Sequence, residues 1–463
     1  MMATFIPKRV FSTIWASVKT DDLRVEKKQA TAEGIDLSSV QEDFAALEQQ
    51  ENLNTIELQG RAELLLDTVQ TLPLVAGYPH NEPSDLESIR ATRPAPVVLP
   101  TEMPDDAVML NKALGGWQGR ASGCLLGKPV EGRKSAQIRK YLEAQGRWPL
   151  DRYFSNQAPA ELAKECGINQ SWKGVYEEDI TCMVEDDDTN YTVTGLAIIE
   201  SKGTDFTPQD VADFWLGNIP FSHVCTAERV AYRNFTLNIT PPDSARYRNV
   251  YRELIGAQIR ADFFGYVNPA DPELAADFAW RDASISHVKN GIYGEMWVAA
   301  MLAAAYVCDD VETVIRAGLA QIPATSRLTA NVEHIIQLFK EGVSYEDAIA
   351  DMRTRWDEYH FYDWCHTSSN AEIVTVALLW GEKDFEKTIT YSVIPGFDTD
   401  CNGATSGSVL GVMLGADALP AKWIAPMNDT LVTGVAGYYK VSLTEMAGKT
   451  LELIKKIQGE KIC

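Results

Sequence analysis

The residue types best able to do chemistry are concentrated in two short acidic segments. Four carboxylates follow one another over residues 185–188 (EDDD), and two more stand at Asp398 and Asp400. Adjacent carboxylates repel one another, so a buried group of them needs protons or cations for neutralisation. Oxygen ligands of this kind suit hard ions, Mg²⁺ or Mn²⁺ with Ca²⁺ as a further option, better than they suit zinc. If the chain brings the two segments together, we expect a site for divalent cations.

A purely structural explanation competes for the first segment. Acidic residues at the start of a helix are common caps, and residues 185–188 directly precede a helical pattern. The second segment is harder to explain in this way, because Asp398 and Asp400 lie between Gly396 and a helix that we expect to be buried. An unpaired charge is costly in such surroundings, which favours the metal interpretation.

The elements that must position these residues are helices. After residue 105, apolar residues recur with the helical period, and few segments alternate as strands do. Two of the helices carry glycine at every fourth position, which is unfavourable unless another backbone must come close. We therefore predict an all-α domain in which these two helices are central and buried. The glycines are Gly115, Gly119, Gly123, Gly403, Gly407, Gly411 and Gly415.

Composition narrows the class of protein further. The 463 residues carry a formal net charge of −23, which argues against binding to nucleic acid or to an anionic membrane surface. The most apolar run, residues 297–307, is too short to span a bilayer and predicts a buried helix. The eight cysteines are scattered without a C-x-x-C pair, and the first twenty residues lack the pattern of a secretory signal. We expect a cytoplasmic protein, and the sequence leaves its oligomeric state open.

The first hundred residues differ in pattern from the rest. Ser39 and Glu42 have the spacing of a capping box ahead of a helix, and residues 56–72 have a second helical pattern. Prolines between residues 94 and 104 then interrupt regular structure. We predict a helical N-terminal extension with a proline-rich linker over residues 1–104, and one main domain over residues 105–463.

Four segments of the main domain resemble the ADP-ribosylglycohydrolase family, which includes the dinitrogenase reductase-activating glycohydrolases. They occupy residues 116–131, 185–189, 284–295 and 396–405 and occur in the family's order. The differences from characterised members resemble the longer bacterial-type branch. The resemblance implies an all-α orthogonal helical bundle with two divalent cations, Mg²⁺ or Mn²⁺, in a cleft.

The resemblance also implies roles for individual residues. Glu131 is the candidate for positioning the sugar or activating water, with Asp187 and Asp398 as further catalytic candidates. Ser286 and His287 would line the substrate cleft, although without the resemblance a buried core histidine is the simpler interpretation of His287. The implied metal ligands are Asp186, Asp187, Asp188, Asp398, Asp400 and Cys401.

Three positions depart from the family's pattern. Asp186 stands where characterised members have threonine, Cys401 replaces a hydroxyl residue, and Cys124 stands where many members have aspartate. The added carboxylate increases the negative charge, whereas a thiol is a poor ligand for a hard ion. These departures leave the metal preference and the geometry of the second ion position open.

The implied activity is hydrolysis of the glycosidic bond at ribose C1″ of an ADP-ribosylated or ribosylated compound, either a small molecule or linked to a protein. Two other functions are compatible with the same scaffold: a non-catalytic, crystallin-like scaffold or binding protein, and a hydrolase of nucleosides or small glycosides. The acidic segments argue against an inert scaffold. The sequence contains no motif of a serine hydrolase or a cysteine protease.

Overall fold

The structure is a computed structural model that describes residues 17–462, with side chains through residue 459. Helices dominate this range, so the prediction of an all-α fold is confirmed. The first sixteen residues, on which the expectation about a targeting signal largely depends, lie outside the described residues, as does Cys463.

The described residues form 22 α-helices. They are α1 (Thr20–Ala32), α2 (Gln41–Glu48), α3 (Ile56–Val69), α4 (Leu86–Thr92), α5 (Asp106–Gly127), α6 (Ser135–Ala144), α7 (Ala160–Glu165), α8 (Asp187–Lys202), α9 (Pro208–Asn218), α10 (Thr226–Thr236), α11 (Asp262–Tyr266), α12 (Pro272–Ala283), α13 (Asn290–Ala305), α14 (Val311–Leu319), α15 (Arg327–Lys340), α16 (Tyr345–Met352), α17 (Phe361–Cys365), α18 (Thr367–Trp380), α19 (Phe385–Val393), α20 (Thr399–Leu414), α21 (Ala421–Ile424) and α22 (Leu443–Ile462). A small antiparallel sheet pairs β1 (Thr430–Val432) with β2 (Lys440–Ser442). A 3₁₀ turn, Lys128–Val130, directly follows α5.

The two glycine-striped helices, α5 and α20, pack against each other at the centre of the main domain. A Cβ atom at Gly119 would collide with the carbonyl oxygen of Gly407, and the other facing glycines are equally close. Any larger residue would hold the two backbones apart, which confirms the prediction of two central, buried helices. The Thr399 hydroxyl donates to the Gly127 carbonyl at 2.8 Å. The end of α5 therefore lies beside the start of α20.

Helix α13 runs through the core and is buried on every side over its 16 residues. The apolar run that predicts a buried helix forms its C-terminal half, so this prediction is confirmed. Within residues 17–462, none of the helices combines the length and the apolar character that a bilayer span demands.

The N-terminal extension forms helices α1 to α4, and two of them, α2 and α3, lie where the helical patterns were predicted. The start of α2 differs from the prediction. It begins at Gln41 after a 3₁₀ turn at Ser38–Val40, so Ser39 is not its cap. The reason is local: the side chain of Asp36 accepts the backbone N–H of Ser38 at 3.0 Å and starts a turn before the expected cap position.

Buried ion pairs join the extension to the main domain. Arg252 pairs with Glu26 (Nη1–Oε2, 2.6 Å) and with Glu33 (Nε–Oε1, 2.7 Å), and the three side chains are 2%, 1% and 4% exposed. Arg327 pairs with Glu82 at 2.7 Å. Arg327 also pairs with Glu253 of the main domain at 2.7 Å, whereas both carboxylates that pair with Arg252 belong to the extension. Without the extension, Arg252 would be an uncompensated buried charge. The extension is thus held to the main domain in part by a charge that only the docked arrangement satisfies.

Candidate metal centre

The first acidic segment begins helix α8. Asp186 is its N-cap, and the Oδ1 atom of Asp186 accepts the backbone N–H of Asp188 at 2.9 Å. The residues before it are held by β1, because the Met183 N–H donates to the Thr430 carbonyl at 2.8 Å and the Val432 N–H donates to the Met183 carbonyl at 2.9 Å. The small sheet therefore positions the segment that leads into α8. At the N-terminus of this helix, the helix dipole favours ionised carboxylates.

The second acidic segment begins helix α20 after a tight turn. Gly396 and Phe397 have φ values of +79° and +65°. A positive φ is unfavourable for phenylalanine and persists only where the surroundings fix it, and Phe397 is buried. The turn places Asp398 at the N-cap position of α20 and Asp400 in its first turn.

The two acidic segments meet in one place, although more than 200 residues separate them along the chain. Five carboxylates and two thiols form three groups, and the ligand atoms within each group lie within 4.8 Å of one another. We call these seven residues the carboxylate cluster. Its groups are Cys124 with Asp186 and Asp188; Asp188 with Asp400 and Cys401; and Glu131 with Asp398 and Asp400.

The chemistry of the cluster fits hard divalent ions. Within the described residues, Oδ2 of Asp188 and Oδ1 of Asp398 have no hydrogen-bond partner, and the two residues are 0% and 4% exposed. Leaving such an oxygen unpaired costs about 1–3 kcal/mol, and more when it is charged. A divalent cation would remove that cost, and carboxylate oxygens suit Mg²⁺ or Mn²⁺. The thiol of Cys401 fits less well, because burial raises its pKa and keeps it protonated.

Burial and mutual repulsion shift the pKa values of the acids upward. Burial, assisted by repulsion from Asp186, raises the pKa of Asp187 to about 8 and that of Asp400 to about 6. At Glu131 repulsion from Asp400 is the largest cause, and the pKa lies well above its usual range. Without a cation the site therefore retains protons near neutral pH, and a bound cation would displace them.

Lys128 brings positive charge into the carboxylate cluster. Its Nζ forms an ion pair with Oδ2 of Asp186, and the two side chains are 21% and 2% exposed. Burial alone would raise the pKa of Asp186, but Lys128 and the N–H of Asp188 together lower it below its usual value. Sequence reasoning missed Lys128, although it lies in the first family-like segment, three residues before Glu131.

Arg120 is a second residue in contact with the cluster that sequence reasoning missed. Its Nη2 donates to the carbonyl oxygen of Asp188 at 2.7 Å and contacts Oδ1 of the same residue at 3.2 Å. Its Nη1 donates to Asp262 at 2.7 Å, and all three side chains are fully buried or nearly so. Arg120 thus fixes the position of the Asp188 carboxylate. The available signal was a charged residue inside the glycine stripe of a helix predicted to be buried.

Asn370 fixes the backbone of Asp398 from helix α18. Its Oδ1 accepts the N–H of Asp398 at 3.3 Å and Nδ2 of Asn402 at 2.8 Å. Its Nδ2 donates to the carbonyl oxygens of Trp364 and His366, each at 2.9 Å. One buried carboxamide therefore joins the start of α20 to the segment before α18. Nothing in the sequence marks this asparagine.

The predicted catalytic residues occupy different depths. Glu131 follows the 3₁₀ turn after α5 and is exposed, yet its carboxylate belongs to the same group as Asp398 and Asp400. Asp398 is buried at the start of α20. Asp187 is half-buried in the first turn of α8 and is not part of the three groups. Glu131 is thus the member of the cluster that solvent reaches most readily.

Ser286 and His287 lie elsewhere in the structure. Both are fully buried, and the Ser286 hydroxyl is 2.8 Å from Nδ1 of His287. His287 lines a small cavity of about 130 Å³ together with Trp280, Ile292 and residues of the extension. The structure brings these two residues together with each other and does not place them in the carboxylate cluster.

The fold and the site together define an all-helical class of proteins in which two acidic helix N-termini build a buried cluster of carboxylates. The family model described as ADP-ribosylglycohydrolase matches residues 105–460. The chain belongs to the ADP-ribosylglycohydrolase family. This is a glycohydrolase family whose members are generally metal-dependent, and membership supports a hydrolase.

Comparisons with individual proteins add less. A solved structure titled "ADP-ribosylglycohydrolase-related protein complex" is similar over 75% of this chain and 99% of that chain, with 17% sequence identity and a TM-score of 0.48. Among curated proteins, no significant match is found.

Proposed function

We propose that this protein is a metal-dependent glycohydrolase that cleaves the glycosidic bond at ribose C1″ of an ADP-ribosylated or ribosylated substrate, free or linked to a protein. The observation that carries the proposal is the meeting of the two acidic segments at Asp188 and Asp400 inside a domain of the family. Unpartnered buried carboxylate oxygens have no use in an inert scaffold, because they only destabilise it.

The residues that would hold divalent ions are Asp188, Asp398 and Asp400. Glu131 would complete the group that contains Asp398 and Asp400. Bound Mg²⁺ or Mn²⁺ supplies polarisation of oxygen ligands and a lower pKa for coordinated water. Arg120 keeps the Asp188 carboxylate in place, so that its second oxygen stays free. A ligand held in this way needs little reorganisation when ions and substrate bind.

The remaining chemistry falls to the carboxylates of this chain. Cleavage at a ribose C1″ centre builds positive charge on the ring, and nearby carboxylates stabilise it. Glu131 lies at the exposed edge, and repulsion from Asp400 raises its pKa, which suits a group that holds or accepts a proton. We assign it to orient the sugar or take a proton from the attacking water. Asp187 and Asp398 are the alternative candidates for this role.

The proposal is tested with ADP-ribosyl-arginine, ADP-ribosyl-serine, O-acetyl-ADP-ribose and simple nucleosides as substrates, before and after removal of divalent ions. We expect ribosyl release that needs Mg²⁺ or Mn²⁺ and is abolished in Asp398→Asn with unchanged helical content by circular dichroism. Asp417→Asn, an exposed aspartate outside the cluster, is the matched control. Full activity of Asp398→Asn, or of the chelated protein, would contradict the assignment. Turnover of nucleosides alone would favour a nucleoside hydrolase.

A further inference from the structure

The members of the carboxylate cluster differ in how far the chain itself satisfies them. Both oxygens of Asp186 have partners: Oδ1 accepts the Asp188 N–H at 2.9 Å, and Oδ2 pairs with Lys128 Nζ. By contrast, Asp188 and Asp398 each keep one buried oxygen without a partner among the described residues. The need for an external cation is therefore unequal across the cluster.

Backbone packing at the end of α5 fixes the position of Lys128, and its ammonium lies against Asp186 in the cluster. It is the first residue after α5, and the preceding carbonyl, that of Gly127, accepts the Thr399 hydroxyl at 2.8 Å. There is no room for a Cβ at Gly127 beside the backbone of Thr399, so the backbone there cannot shift easily. The lysine side chain is 21% exposed, which leaves most of it enclosed with Asp186.

The three ligand groups differ in whether the chain supplies a cation to them. The ammonium of Lys128 pairs with Oδ2 of Asp186, in the group that also contains Cys124 and Asp188. The other two groups share Asp400, and each contains a residue with an unpartnered oxygen: Asp188, which also belongs to the first group, and Asp398. A carboxylate shared by two positions can bridge two ions, as in two-metal sites.

We propose that Lys128 is a built-in cation of this centre, which neutralises Asp186 and withdraws it from metal coordination, so that divalent ions bind only at the two positions that share Asp400. The inference rests on the proposed metal dependence for its ion positions, but the pairing of Lys128 with Asp186 is a property of the metal-free chain. It assigns Asp186 a different role from the metal ligand that the family resemblance implies.

The first test measures Mn²⁺ binding by the full chain after chelation and dialysis, with metal analysis and calorimetric titration. Lys128→Met/Asp186→Asn removes the pair together, and asparagine keeps the helix cap. We expect this double variant to bind as many ions as the wild type, with similar affinity, whereas Asp400→Asn loses them. Lys128→Met alone exposes Asp186 and should tighten binding by about tenfold or add one ion. Loss of an ion in the double variant, or unchanged binding in Lys128→Met, would overturn the inference.

The second test needs no metal and separates this inference from the proposed function. In excess chelator, Lys128→Met should unfold at a lower temperature than the wild type, because it leaves Asp186 buried and unpaired. The double variant should recover the loss. Lys134→Met is the matched control, since Lys134 bonds the carbonyl of Glu358 instead of a member of the cluster. If Lys128→Met unfolds with the wild type, the inference fails even where the enzyme binds metal. If the wild type binds no ion yet these shifts appear, the proposed function and the ion positions fail, whereas the neutralisation of Asp186 by Lys128 stands.

Discussion

Asp188 and Asp400 are the residues through which the ligand groups of the centre are connected, because each belongs to two of them. A change at either position alters two groups of the cluster at once, whereas a change at Asp398 or Glu131 alters one. The effects of single substitutions should therefore be unequal and non-additive, as is usual for residues that share partners.

Metal binding should depend steeply on pH. The pKa of Asp400 is raised to about 6, so this ligand holds a proton that a cation must displace. The pKa of Asp187, which lies outside the ligand groups, is raised to about 8, and a nearby cation would favour its ionised form. Apparent Mn²⁺ affinity should rise as pH increases from about 5 to 8, by up to roughly tenfold per unit for each proton released. Calorimetric titration over this range, in buffers of different ionisation enthalpy, measures both affinity and proton release. Affinity that stays constant between these pH values would contradict the prediction.

The stability of the metal-free protein should change in the opposite direction. A carboxyl with a raised pKa in the folded state favours folding while it is protonated, and this contribution is lost as pH rises through the folded-state value. For Asp400 and Asp187 that window lies between about 4 and 8. Thermal unfolding in chelator should thus show a smaller loss across this window in Asp187→Asn than in the wild type. An identical pH profile in the two proteins would show that Asp187 does not contribute.

Four of the five carboxylates in the cluster stand in acidic segments next to helix starts, and that pattern marked them in the sequence. Glu131 stands in no such segment and was indicated by the family resemblance alone. Their supporting residues could not be predicted in the same way. Arg120 and Lys128 became recognisable only when the structure showed which carboxylates they contact. Asn370 acts through its carboxamide on backbone groups, and such contacts leave no pattern in residue type.

At the scale of helices, the centre depends on the close packing of α5 and α20. The glycine stripe predicted this packing, since it had no other explanation in a helix interior. The tight turn before α20 was not predicted, because its positive φ at Phe397 is imposed by tertiary contacts against the residue's own preference.

Gly123→Ala should destabilise the fold and the site together. A Cβ at this position collides with the carbonyl oxygen of Gly403, so the helices must move apart. We expect a loss of about 1–3 kcal/mol in the free energy of unfolding, measured by denaturant titration. Gly448→Ala is the control, because a Cβ in that helix meets no atom within 4 Å and alanine is the better helix former. Equal effects of the two substitutions would refute close packing as the reason for the stripe.

Asn370→Ala should lower the affinity for Mn²⁺ in addition to lowering the stability of the fold. It removes the side chain that holds the Asp398 backbone, and loss of such outer contacts typically costs 10–100-fold in metal affinity, here about tenfold or more. Asn249→Ala is matched in burial and in its three backbone hydrogen bonds but lies outside the cluster. We expect both variants to lose stability and only Asn370→Ala to lose Mn²⁺ affinity. An equal loss of Mn²⁺ affinity in Asn249→Ala would show that the loss follows from general destabilisation and not from the contact between Asn370 and Asp398.

At the scale of the whole molecule, the extension and the family domain share buried charges. The sequence predicted helices in the extension from their periodicity, but it could not predict their docking. That docking depends on pairs such as Arg252 with Glu26, more than 200 residues apart. The division of the chain at residues 104 and 105 stays a prediction.

Arg252→Met should destabilise the full chain strongly. It leaves the carboxylates of Glu26 and Glu33 buried without their arginine partner, which costs about 3–5 kcal/mol in comparable cases. Chemical unfolding measures the change, and adding Glu26→Gln to the same chain should restore part of it. The exposed pair of Arg139 and Glu143 is the control, where Arg139→Met should cost less than about 1 kcal/mol. A loss as small as that of the control would show that the buried pairs do not hold the extension.

The ion pairs between extension and main domain also bear on how this chain could have been assembled in evolution. The two arginines of the main domain, Arg252 and Arg327, find carboxylates at Glu26, Glu33 and Glu82, which lie outside the family match. A segment beginning at residue 105 would carry Arg252 without either glutamate of its ion pairs, and Arg327 with Glu253 as its remaining partner. We expect such a transplanted segment to require a compensating substitution at Arg252, so that the unit that folds by itself extends beyond the family match.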